Sequence, residues 1–238
     1  MPLGFSFRPR VVPTLAAIAT VILTAALGNW QLNRAAGKIA LQQEIERAAK
    51  QPSVHIGATP LNAADLLYHS VESRGEFDVA RTVYLDNRVH EGVAGYEIVS
   101  PLKLDGGTRY LLVNRGWISA TAQRTHLPPV VTPAGLVTVQ GVALPGNPPV
   151  FELSNQIRAG RVWQNLTVDR FRTAYDVELQ PIMVRQQNDL GDGLIREWRR
   201  PDVGIDRHRA YALQWFSLSI VTIILYVVLN GKRTTPTA

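Results

Sequence analysis

No cysteine occurs anywhere in the 238 residues. Disulfides, thiolate metal sites and haem attachment through a C-x-x-C-H motif are therefore excluded, whatever the compartment. Methionine is confined to Met1 and Met183, which removes the thioether cluster that a cuprous site needs. The remaining metal-ligating imidazoles are His55, His69, His90, His126 and His208, and no two have the spacing of an H-E-x-x-H helix. A G-x-S-x-G elbow and a phosphate-cradling Gly-rich loop are also missing. With no thiol nucleophile either, the expectation is a protein that is not an enzyme. An excess of one charge sign is lacking where it would matter. The net charge of +6 includes Arg8, Arg10, Lys232 and Arg233 on the tails, leaving 21 basic residues against all 19 acidic ones. A pI near 9.9 thus makes no case for nucleic acid, because the middle of the chain has neither a basic cluster nor a binding motif.

What the chain does have is two long uncharged runs. Ala210 to Leu229 contains no charged residue, and a helix of that length reaches about 30 Å, enough to cross a bilayer. His208 stands at its mouth between Arg207 and Arg209. His208, Tyr211, Trp215 and Leu218 recur at i, i+3, i+7 and i+10, so on a helix they share one face. An imidazole, two amphipathic rings and an apolar tail along one stripe suit a flat apolar ligand with a metal centre. The same residues also suit a plain interfacial anchor, where Trp and Tyr are enriched.

Val11 to Leu27 is the second uncharged run, with Pro13 in its first turn, where a missing N–H costs little. Ala26-Leu27-Gly28 would pass as a signal-peptidase site, but the run is longer than an ordinary h-region. It also passes without a break into a helical pattern from Asn29 to Arg47, with Leu32, Ile39 and Ile45 as its apolar face. We therefore expect an uncleaved anchor that continues as a helix. Two spans put both termini on one side and residues 31–209 on the other. Basic residues flank both ends of each span, so the positive-inside rule is nearly silent. The leader-like N-terminus sets the orientation, with the tails cytoplasmic.

The middle reads as short strands: Thr82–Leu85, Gly95–Val99, Arg109–Val113, Leu136–Leu144, Arg161–Leu166, Pro181–Gln186 and Leu194–Arg199. Val168–Tyr175 is the best helix, with Thr167 to cap it and Asp169 in its first turn. Turn signals recur, and Thr121–Gly135, with three prolines, reads as a loop. The expected fold is a membrane protein whose two transmembrane helices flank an extramembrane α+β domain. That domain is dominated by an antiparallel sheet that curls or closes like a barrel. One internal echo stands out. Asn87-Arg88 and Asn114-Arg115 each end an apolar strand, either as a turn with a solvated arginine or as a fork for carboxylates.

Several motifs occur in a fixed order. Gly28-x-Trp30-Gln31-x-x-Arg34-x-x-x-Lys38 leaves the first span, and Gly75-x-Phe77 and Gly95-Tyr96-Glu97 with Pro101-Leu102 follow. Val113-Asn114-Arg115-Gly116-Trp117-Ile118 comes next, and His208-x-x-Tyr211-Ala212-x-Gln214-Trp215-Phe216 closes the series. Together they resemble the surfeit-locus family of cytochrome oxidase assembly proteins, bacterial type. The resemblance implies a multi-pass protein of the bacterial inner membrane, with residues 1–10 and 230–238 cytoplasmic. Residues 11–30 and 210–229 would be the spans and 31–209 a periplasmic domain. It implies haem A as transient cargo, bound through His208 as iron ligand and inserted into the cytochrome c oxidase catalytic subunit. Haem A synthase and the lipid bilayer are further implied partners, and nucleic acid is not one. Tyr211 or Trp215 would flank the ring, and Arg207, Arg209 or a domain arginine such as Arg115 would pair with its carboxylates. The rival from another class is a scaffold that grips the oxidase subunit or the synthase without touching haem. Two departures from the family pattern stand out: Arg207 where many members carry Asn, and Trp163-Gln-Asn-Leu, which lacks a second aromatic behind the tryptophan.

Overall fold

The computed structural model describes residues 4–123, 126–149, 158–198 and 204–234. It divides into two compact units, one of residues 1–43 with 200–238 and one of residues 44–199. In chain order the elements are β1 (Gly4–Phe7), α1 (Val11–Ala49), β2 (Val54–His55), β3 (Ser70–Phe77), β4 (Val83–His90) and β5 (Val93–Leu104). There follow β6 (Tyr110–Ser119), β7 (Val137–Pro145), β8 (Arg158–Ala159), β9 (Val162–Trp163), α2 (Val168–Tyr175), β10 (Leu179–Gln186), α3 (Ile205–Asn230) and β11 (Gly231–Thr234).

In the first unit, α1 and α3 are the two helices long and apolar enough to cross a membrane. The expected continuation of the first run is present. α1 is one helix of 39 residues, about 58 Å long at helical rise. Thr14, Ala17, Val21, Thr24, Gly28, Gln31, Ala35 and Lys38 are sheltered at alternating steps of three and four, with Ala25, Leu27, Ile39, Ile45 and Ala48 sheltered beside or beyond them. Leu32, expected on the apolar face, is 43 % exposed instead. On α3 Ile205, His208, Ala212, Trp215, Ser219, Thr222 and Tyr226 are sheltered with the same alternation, and Phe216 and Asn230 are sheltered besides. That period is the seam of a two-helix coil, here antiparallel. Thr24 and Ser219 hydroxyls lie 2.6 Å apart, and so do those of Thr14 and Tyr226. Gly28 is needed where it stands, since a Cβ there would lie 2.8 Å from the Phe216 ring. β1 and β11 pair beyond the other end of the hairpin.

The second unit is a closed five-stranded barrel. Its strands run β3-β7-β10-β6-β5, and β5 returns to β3 through Gly75–Leu104 to Phe77–Leu102. All these pairs are antiparallel except β6 with β10. The barrel interior holds Val71, Phe77, Leu102, Leu111, Val139 and Ile182, each at most 5 % exposed. β5 closes the barrel with its last residues and pairs with β4 through its first, so β4, β9 and β8 extend the sheet beyond the barrel. A second apolar cluster, including Leu85, Val99, Leu112, Trp163 and Phe171, packs α2 against the outer face. The Thr167 hydroxyl accepts from the Arg170 N–H as expected, a cap worth about 1 kcal/mol.

Three expectations need correction. Leu194–Arg199 forms a single bridge, Ile195 to Trp117, rather than a strand, and Arg199 lies outside the described residues. Arg161–Leu166 is extended only at Val162–Trp163. The Asn-Arg echo does not end strands: β4 runs on to His90 and β6 to Ser119. At both places the register shifts. Asn87 takes φ 57° and Gly116 φ 144°, so each echo marks a β-bulge.

Candidate functional site

His208 lies in the first turn of α3, behind Gly204 in the left-handed region (φ 55°), which lets the chain enter the helix without a side-chain cap. The imidazole is half-buried on the seam. Its Nδ1 lies 2.6 Å from the Gln31 Oε1 on α1. An amide oxygen only accepts, so Nδ1 carries the proton and Nε2 presents a bare lone pair. Among the described residues Nε2 has no hydrogen-bond partner. Fixing a histidine through its other nitrogen is how proteins orient metal-binding imidazoles.

The electrostatics point the same way. Desolvation holds the His208 pKa below its ordinary value, and the cations Lys38, Arg34 and Arg207 push it down further. The ring is therefore neutral and able to ligate at pH 7. Gln31, Arg34 and Lys38 recur at i, i+3 and i+7 on α1, which turns them to one side of the helix. Arg34 also lies over the Trp30 ring, 5.6 Å from its centroid. Such a site can offer one neutral imidazole to a metal centre and several cations to acidic groups beside it.

Of the residues marked in the sequence, His208 and Trp215 both belong to the seam, while Tyr211 and Leu218 flank it at 46 % and 45 % exposed. The four recur on the helix as expected but do not form one uniform stripe. Arg209 is exposed. Arg115 stands elsewhere in its own right, fully buried in the barrel unit. Its Nη2 donates to Asp192 at 2.8 Å and to the Val131 carbonyl, and its Nη1 donates to Thr132. Its guanidinium also covers the Phe77 ring at 4.7 Å. Arg115 has no exposed surface; its Nη atoms are engaged within the fold, and its Nε is buried without a hydrogen-bond partner among the described residues. Gln31, Arg34 and Lys38 are the residues that reading α3 alone overlooks. Their signal was a polar residue and two cations at helical spacing just beyond the first span.

The remaining histidines belong to the barrel unit. His69 bonds Gln51 and the Leu67 carbonyl, and His55 is exposed. His90, Glu91 and Glu197 form one group whose ligand atoms lie within 4.8 Å of one another, with both carboxylates exposed.

The order of motifs and the two-helix frame agree with a comparison against protein families. The sequence model described as "SURF1 family" matches residues 18–220. The chain belongs to the SURF1 family. SURF1-family proteins are cytochrome oxidase assembly factors. A SURF1-like protein of Rickettsia prowazekii is 24% identical over 225 residues, covering 92% of this chain and 90% of the relative. One from Monosiga brevicollis is 23% identical, over 91% of this chain and 87% of its own length. Surfeit locus protein 1 of Mus musculus is 26% identical over 106 residues, 39% of this chain and 35% of the relative. The match to the SURF1 family begins inside α1 and ends inside α3, so it includes both sides of the His208–Gln31 contact.

Proposed function

We propose that this chain is an inner-membrane assembly factor that binds haem A through His208. It delivers the haem to the large catalytic subunit of a cytochrome c oxidase. One observation carries the reading: a neutral imidazole whose Nδ1 is held by Gln31 and whose Nε2 is unpartnered. The surrounding cations select the kind of metal. A bare divalent ion would be repelled by Arg34, Lys38 and Arg207, whereas iron inside a macrocycle with two carboxylates brings the negative charge these side chains want. Nε2 would take the iron, and Arg34, Lys38 and the exposed Arg207 and Arg209 would meet the carboxylates. Tyr211 and Trp215 would lie against the ring, and its hydrocarbon tail would rest in lipid. The protein's own part is to hold the ring nitrogen, keep it deprotonated and surround the cargo with exchangeable contacts. In this reading α1 and α3 span the bilayer, both tails are cytoplasmic and the barrel is periplasmic. Haem A synthase is the source from which the cargo comes.

The test is chromosomal replacement by His208→Ala in an organism that makes haem A. The expected result is oxidase depleted of haem A, with the variant present at normal level by immunoblot. Normal haem A content in that strain would sink the cargo reading and leave a scaffold that grips the oxidase subunit or the synthase.

A further inference from the structure

The barrel unit contains a concavity of about 350 Å³, lined by polar groups from four of its strands. Two bulges make it. On β4, residues Asp86 and Asn87 together oppose Tyr96, which turns Arg88 and His90 to the same face as Val83 and Leu85. On β6, Arg115 is the extra residue between the pairs Asn114–Val99 and Gly116–Ile98, which turns Trp117 to the same face as Asn114. Bulges re-aim side chains and concentrate beside functional sites. Gly95 completes the arrangement, because a Cβ there would lie 2.5 Å from the Trp117 ring. The Trp117 indole N–H donates to the Arg88 carbonyl at 2.9 Å, and the Trp198 indole N–H donates to the Gln186 carbonyl at 2.7 Å. Both rings are thereby fixed as walls.

The charge in this concavity does not balance. The Arg185 side chain makes no hydrogen bond among the described residues; it covers the Trp198 ring, 5.5 Å from the centroid. The Nε atoms of Arg185 and Arg88 are both buried and make no hydrogen bond among the described residues. Among the described residues the carboxylate paired with them is Glu97, 3.8 Å from the Arg88 Nε, and it already accepts from the Asn114 amide at 2.7 Å. Glu197, at the rim, is 76 % exposed and lies beside His90. Two guanidinium groups thus share one carboxylate. Burial lowers the Arg185 pKa, with Glu97 opposing the shift only in part. Guanidinium donors left open in a walled cavity are the usual receptor for a planar oxyanion.

We propose that this cavity binds a small organic oxyanion, a carboxylate or phosphate on a flat body. Arg88 and Arg185 take the charged group, and Trp117 and Trp198 take the body. The volume suits a ligand of small-metabolite size. The cavity is lined by residues of the barrel unit, and the proposal does not depend on the haem reading.

The full-length protein in detergent is titrated with benzoate, phenyl phosphate and inorganic phosphate, following tryptophan emission and heat. Saturable binding of benzoate or phenyl phosphate is expected, weaker by about tenfold or more in Arg185→Gln and in Arg88→Gln. Arg74→Gln, at an exposed pair with Asp105, is expected to bind normally. The tighter of the two ring-bearing probes tells a carboxylate source from a phosphate one. Arg185→Lys keeps a charge but not the fork, so it is expected to bind measurably less tightly. That variant decides the matter if the glutamine variants lose their cooperative thermal transition. No saturable signal with any probe overturns the proposal. So does undiminished binding by the arginine variants, or a signal from inorganic phosphate alone.

Discussion

Asp192→Ala should be among the most damaging single changes in the barrel unit. Asp192 holds two arginines at once: Arg115 at 2.8 Å, and Arg196 through both oxygens at 2.5 and 2.7 Å. Its side chain and that of Arg115 are both fully sealed from water. Truncating it leaves Arg115 without a counter-charge, its remaining bonds going to the Thr132 hydroxyl and the Val131 carbonyl. Stranding a buried charge costs about 3–5 kcal/mol. In a domain of this size that corresponds to a fall in Tm of about 6–20 °C. Removing the other partner should be gentler. Arg115→Met fills similar space with apolar atoms, and Asp192 keeps its two bonds to Arg196, so about 2 kcal/mol or less is expected. Urea and thermal unfolding of the detergent-solubilised chain, followed by near-UV circular dichroism, would rank the two variants. Equal costs, or Arg115→Met as the worse, would refute the idea that one carboxylate neutralises both arginines.

Thr24→Cys with Ser219→Cys should cross-link under mild oxidation, free of background because the chain has no other cysteine. Adding Gly28→Leu should suppress that cross-link, since the new side chain enters the space of the Phe216 ring; non-reducing electrophoresis reads both. Gln31→Ala should weaken iron-porphyrin binding by about 10–100-fold, the usual cost of releasing a ligand histidine from its orienting partner. The pH dependence follows from the direction of the His208 shift. Only the neutral ring ligates, so binding should persist as pH falls through the ordinary histidine value of about 6.5 and be lost only below it. Arg34→Gln with Lys38→Gln removes two cations that oppose protonation, so the midpoint of a spectroscopic pH titration should move up.

The helices were legible because each rests on local information: an uncharged run for α1 and α3, and Thr167 with Asp169 for α2. Most barrel strands were legible for the same reason. β3 was not, because Ser70–Phe77 alternates buried and exposed positions with mostly polar residues, and Ser73 is buried. A barrel-like closure was legible from the short, evenly spaced strands, but not its route, which depends on β5 serving β4 with one end and β3 with the other. Asn87 and Arg115 read as strand ends because a bulge and a turn use the same residues. The echo still marked something real. One arginine proved to be a buried ion pair and the other the wall of a cavity. At the membrane site the imidazole was legible from its place at the mouth of the run. Its holder was not, since helical spacing says which residues share a face but not which face meets another helix. Gln31 lies 177 positions from His208, and only the antiparallel seam brings them together.

The most direct test of the central claim is an optical spectrum of the protein, purified in mild detergent from cells making haem A, beside His208→Ala. The account predicts a haem A band in the unmodified protein and its loss from a variant that still unfolds cooperatively. Equal bands in both would place the iron ligand elsewhere, and no band in either would contradict haem binding altogether.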